Sequence, residues 1–199
     1  MKSQAKQRTE MPVLDALQVL IDHCTDWIVV TNQSSSRSWP KLVRRPLDLH
    51  YNPSTMGGAV SLALGLAIAQ PQRRVLCVSG DGALLMNLGS LVTVVTCAPE
   101  NLVVCVLDNE MYEVTGGQQL PAPRKKPLDY SALAKGVGFE FPMEFNDLAD
   151  WQKMSKHFLS HAGPTFLTLT VGPTPIEYLK SPTPPMSEML PQFRAALET

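Results

Sequence analysis

Net charge is almost absent from this 199-residue chain, where 17 Lys and Arg stand against 18 Asp and Glu for a balance of −1. So weak a field draws in neither nucleic acid nor an anionic membrane surface, and neither partner is expected. Long apolar runs are missing too. The longest, Met56 to Ala69, is too short and too glycine-rich to span a bilayer, and the N-terminus is polar where a secretory signal is apolar. Cys24, Cys77, Cys97 and Cys105 form no Cys-x-x-Cys pair and leave no cluster for an iron–sulfur centre. Cys77 and Cys105 lie in apolar strand patterns as small buried hydrophobes, which suits a reducing cytoplasm. His23, His50, His157 and His161 show no metal-ligand spacing, so structural or exposed roles are expected. No internal repeat is present, and between Met11 and Pro99 there is no glutamate at all.

What is present centres on Val75 to Gln118. Arg74 to Ser79 reads as a buried strand, Gly80-Asp81-Gly82 as a sharp turn, Ala83 to Cys97 as a helix, and Leu102 to Leu107 as a second strand ending in Asp108-Asn109. A strand of about seven residues and a helix of about fourteen each span roughly 20 to 23 Å, so the helix returns the chain and the two strands lie parallel. Asp81 and Asn109 then emerge on one sheet edge. Gly80 and Gly82 allow close backbone approach to a ligand, and the unpaired N–H groups that open a helix suit a phosphate. One carboxylate, one amide oxygen, a main-chain carbonyl and diphosphate oxygens can form an octahedral Mg²⁺ shell. The expected ligand is a metal diphosphate. Asp81 alone could merely cap a helix, and Asn109 alone could merely make a turn; it is their joint spacing that points to a site.

Gly80-Asp81-Gly82, 25 residues, then Asp108-Asn109 resembles the thiamine diphosphate signature. Its usual form is Gly-Asp-Gly followed by about 24 to 27 residues and Asn-Asn. Thr115-Gly116-Gly117-Gln118 and Ser54-Thr55-Met56-Gly57 most resemble the sulfopyruvate and phosphonopyruvate decarboxylases, especially the short β subunit of the former, over about Leu14 to Val171. The resemblance implies that Asp81, the Asn109 side chain and the Met111 carbonyl bind Mg²⁺, and that the Gly82 and Ala83 N–H groups meet the diphosphate. Gly80 and Tyr112 complete that part of the cofactor site. Met56 would prop the cofactor into its bent shape, and the Ser54 carbonyl would meet the aminopyrimidine. The family pattern has glycine at that position, so the exchange is cheap unless the turn needs a positive φ. Asp108 replaces the first Asn of the usual pair, adding charge near the metal without being an expected ligand. Thr115 and Gln118 are candidate substrate contacts. Arg124-Lys125-Lys126, Arg37 and Arg44 compete to attract a sulfonate or phosphonate, the alternative for the basic run being a solvated loop.

Along the rest of the chain, residues 1–10 read as a flexible N-terminus, 11–171 as one diphosphate-binding domain and 172–199 as a Pro-rich tail. Pro12 opens a helix, Trp27 to Val30 is a strand, and Thr31 to Ser36 is a polar loop where α/β sheets gather ligands. Leu47 to Tyr51 reads as a strand and Gly57 to Ala69 as a helix. Further on come a short helix from Tyr130 to Lys135, a strand over Gly138 to Phe141, a helix capped by Asn146 and running to about His161, and a last strand from Pro164 to Val171. Six prolines after Gly172 argue for an extended tail, with a helix over Ser187 to Leu197. The fold class is α/β, a mostly parallel sheet with helices on both faces.

Thiamine chemistry needs a proton relayed from the aminopyrimidine, and in this superfamily a glutamate of a separate pyrimidine-binding domain performs it. This chain has room only for the diphosphate-binding domain. The resemblance therefore implies a hetero-oligomer in which an α-type subunit supplies the glutamate, with a small anionic 2-oxo acid losing CO₂ to give an aldehyde. Two alternatives stand beside it: a carboligase subunit of the acetolactate synthase kind, and a non-catalytic cofactor-binding module.

Overall fold

The computed structural model describes residues 8–121 and 127–198. The chain begins with α1 (Val13–His23), β1 (Ile28–Asn32), α2 (Ser35–Leu42), β2 (Asp48–Tyr51) and α3 (Gly58–Ala69). Its centre holds β3 (Val75–Gly80), α4 (Asp81–Leu85), α5 (Gly89–Cys97) and β4 (Leu102–Asp108), then a small hairpin of β5 (Met111–Tyr112) and β6 (Gln118–Gln119). It closes with α6 (Tyr130–Val137), β7 (Met143–Phe145), α7 (Leu148–Leu159), β8 (Thr165–Thr170), α8 (Ile176–Leu179) and α9 (Met186–Leu197).

Six strands form one parallel sheet in the order β2-β1-β3-β4-β8-β7, as the alternation of strand and helix leads one to expect. β3 and β4 read as near-continuous apolar runs because helices cover both faces there. On one face α1, α2 and α7 pack around Leu17, Trp39 and Trp151; on the other α3, α5, α6 and α9 pack around Leu64, Val94 and Phe193. The register pairs Val75 with Leu102 and Gly80 with Leu107, so the residues that follow, Asp81 and Asp108, leave the sheet side by side.

Four local expectations change. The helix expected from Ala83 to Cys97 is two helices, broken at residues 86–88, because Gly57 presses against Asn87, whose side-chain amide donates to the Gly57 carbonyl at 3.1 Å. The strand expected over Gly138 to Phe141 is absent: Gly138, at φ 113°, ends α6, and pairing begins only at Met143. Asp147 rather than Asn146 caps α7, accepting from the Asp150 N–H at 3.0 Å. The polar loop after β1 is shorter than expected, since Thr31 and Asn32 belong to the strand and Ser35 starts α2. Ser35 Oγ donates to the Asn32 and Val78 carbonyls at 2.7 and 2.8 Å, which ties that helix to the sheet.

The tail is helical at both ends of its course. Pro175 and Pro185 stand just ahead of α8 and α9, where a missing N–H costs nothing. It leaves β8, lies along α2 through α8, and seats α9 on β2. Arg37 donates to the Leu179 carbonyl and Asn52 Nδ2 to Thr183 Oγ1 at 2.8 Å on the way.

β2 also carries a pair of buried groups with opposed titrations. His50 Nδ1 lies 2.9 Å from Thr31 Oγ1, and burial, then the Arg44 charge, pushes its pKa down to about 4. Burial pushes Asp48 up to about 6, with Arg45 opposing. His50 therefore gives stability present above its unfolded value of 6.5 and lost as pH falls toward 4; Asp48 gives stability present below 3.8 and lost as pH rises through 6. The two slopes offset each other. Asp48→Asn should lose on the order of 3 kcal/mol more than the parent on acidification from pH 6.5 to pH 4. Denaturant melts across that range check it, and parallel profiles for the two proteins would refute it.

Candidate functional site

The carboxyl ends of β3 and β4 open into a narrow cleft. Gly80, Asp81, Gly82 and Ala83 form its floor, Asn109, Met111 and Tyr112 one wall, and Met56 another. Thr115 reaches its rim, whereas Ser54 and Gln118 do not line it. Met56 and Met111, distant in sequence, thus line one cleft with Asp81 and Asn109.

Asp81 is buried at 2% exposure and organises the floor. Its Oδ1 accepts from the Gly82 N–H at 2.6 Å, and its Oδ2 from the N–H groups of Asn109 and Glu110 at 3.0 and 2.7 Å. A carboxylate offers about four lone-pair sites, so three donors leave one for a cation. Burial pushes the Asp81 carboxyl up to about 7; the Gly82 and Glu110 N–H groups oppose the rise, and the Asp108 charge adds to it. A divalent cation at the free position favours the carboxylate and reverses that balance. Asn109 Oδ1 accepts from the Met111 N–H at 3.2 Å, which fixes the amide at the cleft wall.

The donor set fits a hard cation. Among the described residues no cluster of three His, Cys, Asp or Glu side chains could hold a metal. A carboxylate, an amide oxygen and a main-chain carbonyl are too few for an all-protein cage, and Mg²⁺ usually completes such a shell with phosphate oxygens and water. The glycines fit a bulky ligand as well. A Cβ built at Gly82 would lie 2.6 Å from the Tyr112 ring, whereas at Gly80 nothing lies within 4 Å, so the backbone is closed on one side and open on the other. Ser54 is not among the residues with positive φ; that conformation falls on Gly57, at φ 86°. The serine thus sits in the turn without strain, its Oγ accepting from Gln33 Nε2 at 2.7 Å.

Other candidates go elsewhere. Thr115 and Gln118 bond each other, Thr115 Oγ1 donating to Gln118 Oε1 at 2.9 Å. Arg44 Nε donates to the Pro40 carbonyl at 3.0 Å and Arg37 is held by Leu179, so neither guanidinium lines the cleft. Arg124, Lys125 and Lys126 lie outside the described residues. His23 bonds Ser155 at 2.9 Å, and His157 stacks edge-on with His161, as structural roles require.

Sequence reasoning missed three contributors. Gln33, in the polar stretch after β1 and at φ 52°, lines the cleft beside Ser34. Glu113 accepts from the Thr174 N–H and, at 2.9 Å, from its hydroxyl, which pins the start of the tail to the β5–β6 loop. Arg8, inside the stretch expected to be flexible, pairs with Asp108 and Glu110. Burial raises the Asp108 carboxyl, and the Arg8 charge is the chief opposing influence.

Comparison with known proteins agrees with this geometry. A family profile described as the C-terminal TPP-binding domain of thiamine pyrophosphate enzymes matches residues 35–169. Phosphonopyruvate decarboxylase of Streptomyces viridochromogenes is 36% identical over 173 residues, 86% of this chain and 42% of the relative. The chain thus spans about two fifths of that relative's length. Sulfopyruvate decarboxylase subunit beta of Methanothermobacter thermautotrophicus is 39% identical over 160 residues, 80% of this chain and 82% of the subunit. An X-ray structure from Mycobacterium smegmatis, provisionally assigned as a thiamin diphosphate-dependent enzyme, superposes with a TM-score of 0.69 at 23% identity, over 87% of this chain and 35% of that one, and shares the fold. With the profile covering most of its length and the glycine-acid turn facing Asn109 across the cleft, the chain belongs to the thiamine pyrophosphate enzymes, through their TPP-binding domain.

Proposed function

We propose that this chain is the β-type subunit of a split thiamine diphosphate-dependent decarboxylase acting on a small anionic 2-oxo acid such as sulfopyruvate or phosphonopyruvate, in the cytoplasm. The reading is carried by the placement of Asp81 and Asn109 at the ends of adjacent parallel strands, around a floor open at Gly80. Asp81, the Asn109 amide oxygen and the Met111 carbonyl would hold Mg²⁺, and Gly82 and Ala83 would face the diphosphate. When bound, thiamine diphosphate supplies the electron sink that a 2-oxo acid needs to lose CO₂. Met56, Tyr112 and Thr115 line this one cleft, which supports the first two as cofactor contacts and Thr115 as a substrate contact.

The partner is an α-type subunit with the pyrimidine-binding domain and its activating glutamate. Two observations support it. This chain matches 82% of a relative named as a subunit. In addition, residues 56–72 and 82–99 contain no charged side chain, and the helices they build, α3 and α5, pack together while leaving Ile68, Met86 and Val92 more than half exposed. Uncharged apolar helix faces of this kind mark protein contacts, and this one adjoins Met56.

The tagged chain recovered from its native lysate should bring down a chain of similar size with a pyrimidine-binding pattern, and the complex with Mg²⁺ and thiamine diphosphate should release CO₂ from a 2-oxo acid. A complex that releases none from any 2-oxo acid defeats the proposal. Product analysis with two oxo acids together separates decarboxylation from carboligation.

A further inference from the structure

We propose that Arg8 is a positioning residue for the metal turn: its guanidinium neutralises Asp108 and braces the backbone of residues 108–110, so that Asn109 is held toward the cation. The inference rests on the metal–diphosphate reading of the cleft.

Asp81 and Asp108 are 2% and 4% exposed and leave neighbouring strands side by side. Where the usual signature has an uncharged Asn, this chain has a second acid, and a buried charge without a partner is costly. Arg8 supplies the partner. Its Nη2 donates to the Asp108 carboxylate and, at 3.3 Å, to the Asp108 carbonyl, while Nη1 lies 3.1 Å from Glu110 Oε1. These are the ion pairs found among the described residues, and both serve the same turn. The fork therefore straddles Asn109. The turn needs such support, because Glu110 sits at φ 60°, in the left-handed region that side chains disfavour.

Arg8 is delivered there by the main chain. The Met11 N–H donates to the Thr170 carbonyl at 3.0 Å and the Gly172 N–H to the Met11 carbonyl at 2.9 Å, which lays the segment ahead of α1 along the end of β8. β8 is the neighbour of β4, whose last residue is Asp108. A planar guanidinium can meet a carboxylate, a carbonyl and a second acid at once, which an ammonium group cannot reproduce.

The test uses the full chain with its partner. Mg²⁺ is titrated in the presence of thiamine diphosphate by calorimetry, and hydrogen exchange of the 109–111 amides is followed in the cofactor-free chain. Arg8→Ala should raise the Mg²⁺ concentration at half-saturation about tenfold, as loss of an outer-shell partner does, and should speed exchange at those amides. Arg8→Lys should fall between the two. Adding Asp108→Asn to Arg8→Ala should bring the Mg²⁺ requirement back to within about threefold of the parent, because the charge to be neutralised is gone. A double variant no better than Arg8→Ala overturns the neutralising role, and unchanged exchange in Arg8→Ala overturns the brace. If the parent itself takes up no cofactor, the reading of the cleft falls, and the exchange experiment still decides the brace.

Discussion

Asp81→Ala should weaken Mg²⁺-dependent thiamine diphosphate binding by at least about 100-fold and cost stability as well. The binding loss follows from removal of the carboxylate that forms the floor of the cleft. The stability loss follows from what that carboxylate holds: the N–H groups of Asn109 and Glu110, which reach it at 3.0 and 2.7 Å across 28 and 29 residues. An N–H left without its acceptor costs about 1 to 3 kcal/mol, so the pair amounts to roughly 2 to 6 kcal/mol. Asp81→Asn separates the two effects. It keeps an acceptor oxygen and should recover part of the stability without recovering cofactor affinity. Calorimetric titration and denaturant melts measure both quantities. A variant that binds as tightly as the parent would remove Asp81 from the metal site. Binding lost while the complex stays fully active would instead favour the non-catalytic module.

Gly57→Ala, with no charge or catalytic group touched, should cost about 2 to 5 kcal/mol. Gly57 adopts φ 86° at the head of α3, and a methyl group there would lie 2.6 Å from the Asn87 Cβ and 3.1 Å from the Ala83 carbonyl. Neither neighbour can swing away, since one is anchored at its own backbone and the other is backbone. The accommodating movement must separate α3 from the α4–α5 junction. That junction follows the Asp81 turn, and Met56 is the next residue back, so cofactor affinity should fall with stability. Thermal melts with and without Mg²⁺ and thiamine diphosphate test it; an alanine variant that melts with the parent would show that the contact yields.

The centre of the fold is legible because its signals are local. Two apolar strands and a glycine-acid turn fix a parallel pair, and strand length alone brings Asp81 to Asn109. Other features depend on contacts that sequence order does not display. The break at residues 86–88 lies in an uncharged apolar run that reads as one helix; only the approach of Gly57 to Asn87 reveals it. Phe139 and Phe141 alternate as strand residues do, yet Gly138 turns the chain so that Phe139 enters the core and Phe141 is 63% exposed. The prolines of the tail argue for an extended course, although Pro175 and Pro185 stand directly ahead of helices. Arg8 was out of reach altogether, since its partner lies 100 residues away.

The seating of α9 on β2 has a bearing on how the protein is made. β2 and α3 emerge from the ribosome early, with one apolar flank that Met186, Met189, Phe193 and Leu197 later cover. Those residues belong to α9, which follows every strand of the sheet in the chain. The sheet can pair during translation, but its outer edge cannot close until this later segment has been made. In that interval the nascent chain presents an unfinished edge, and chaperone capture or premature truncation would act on it first.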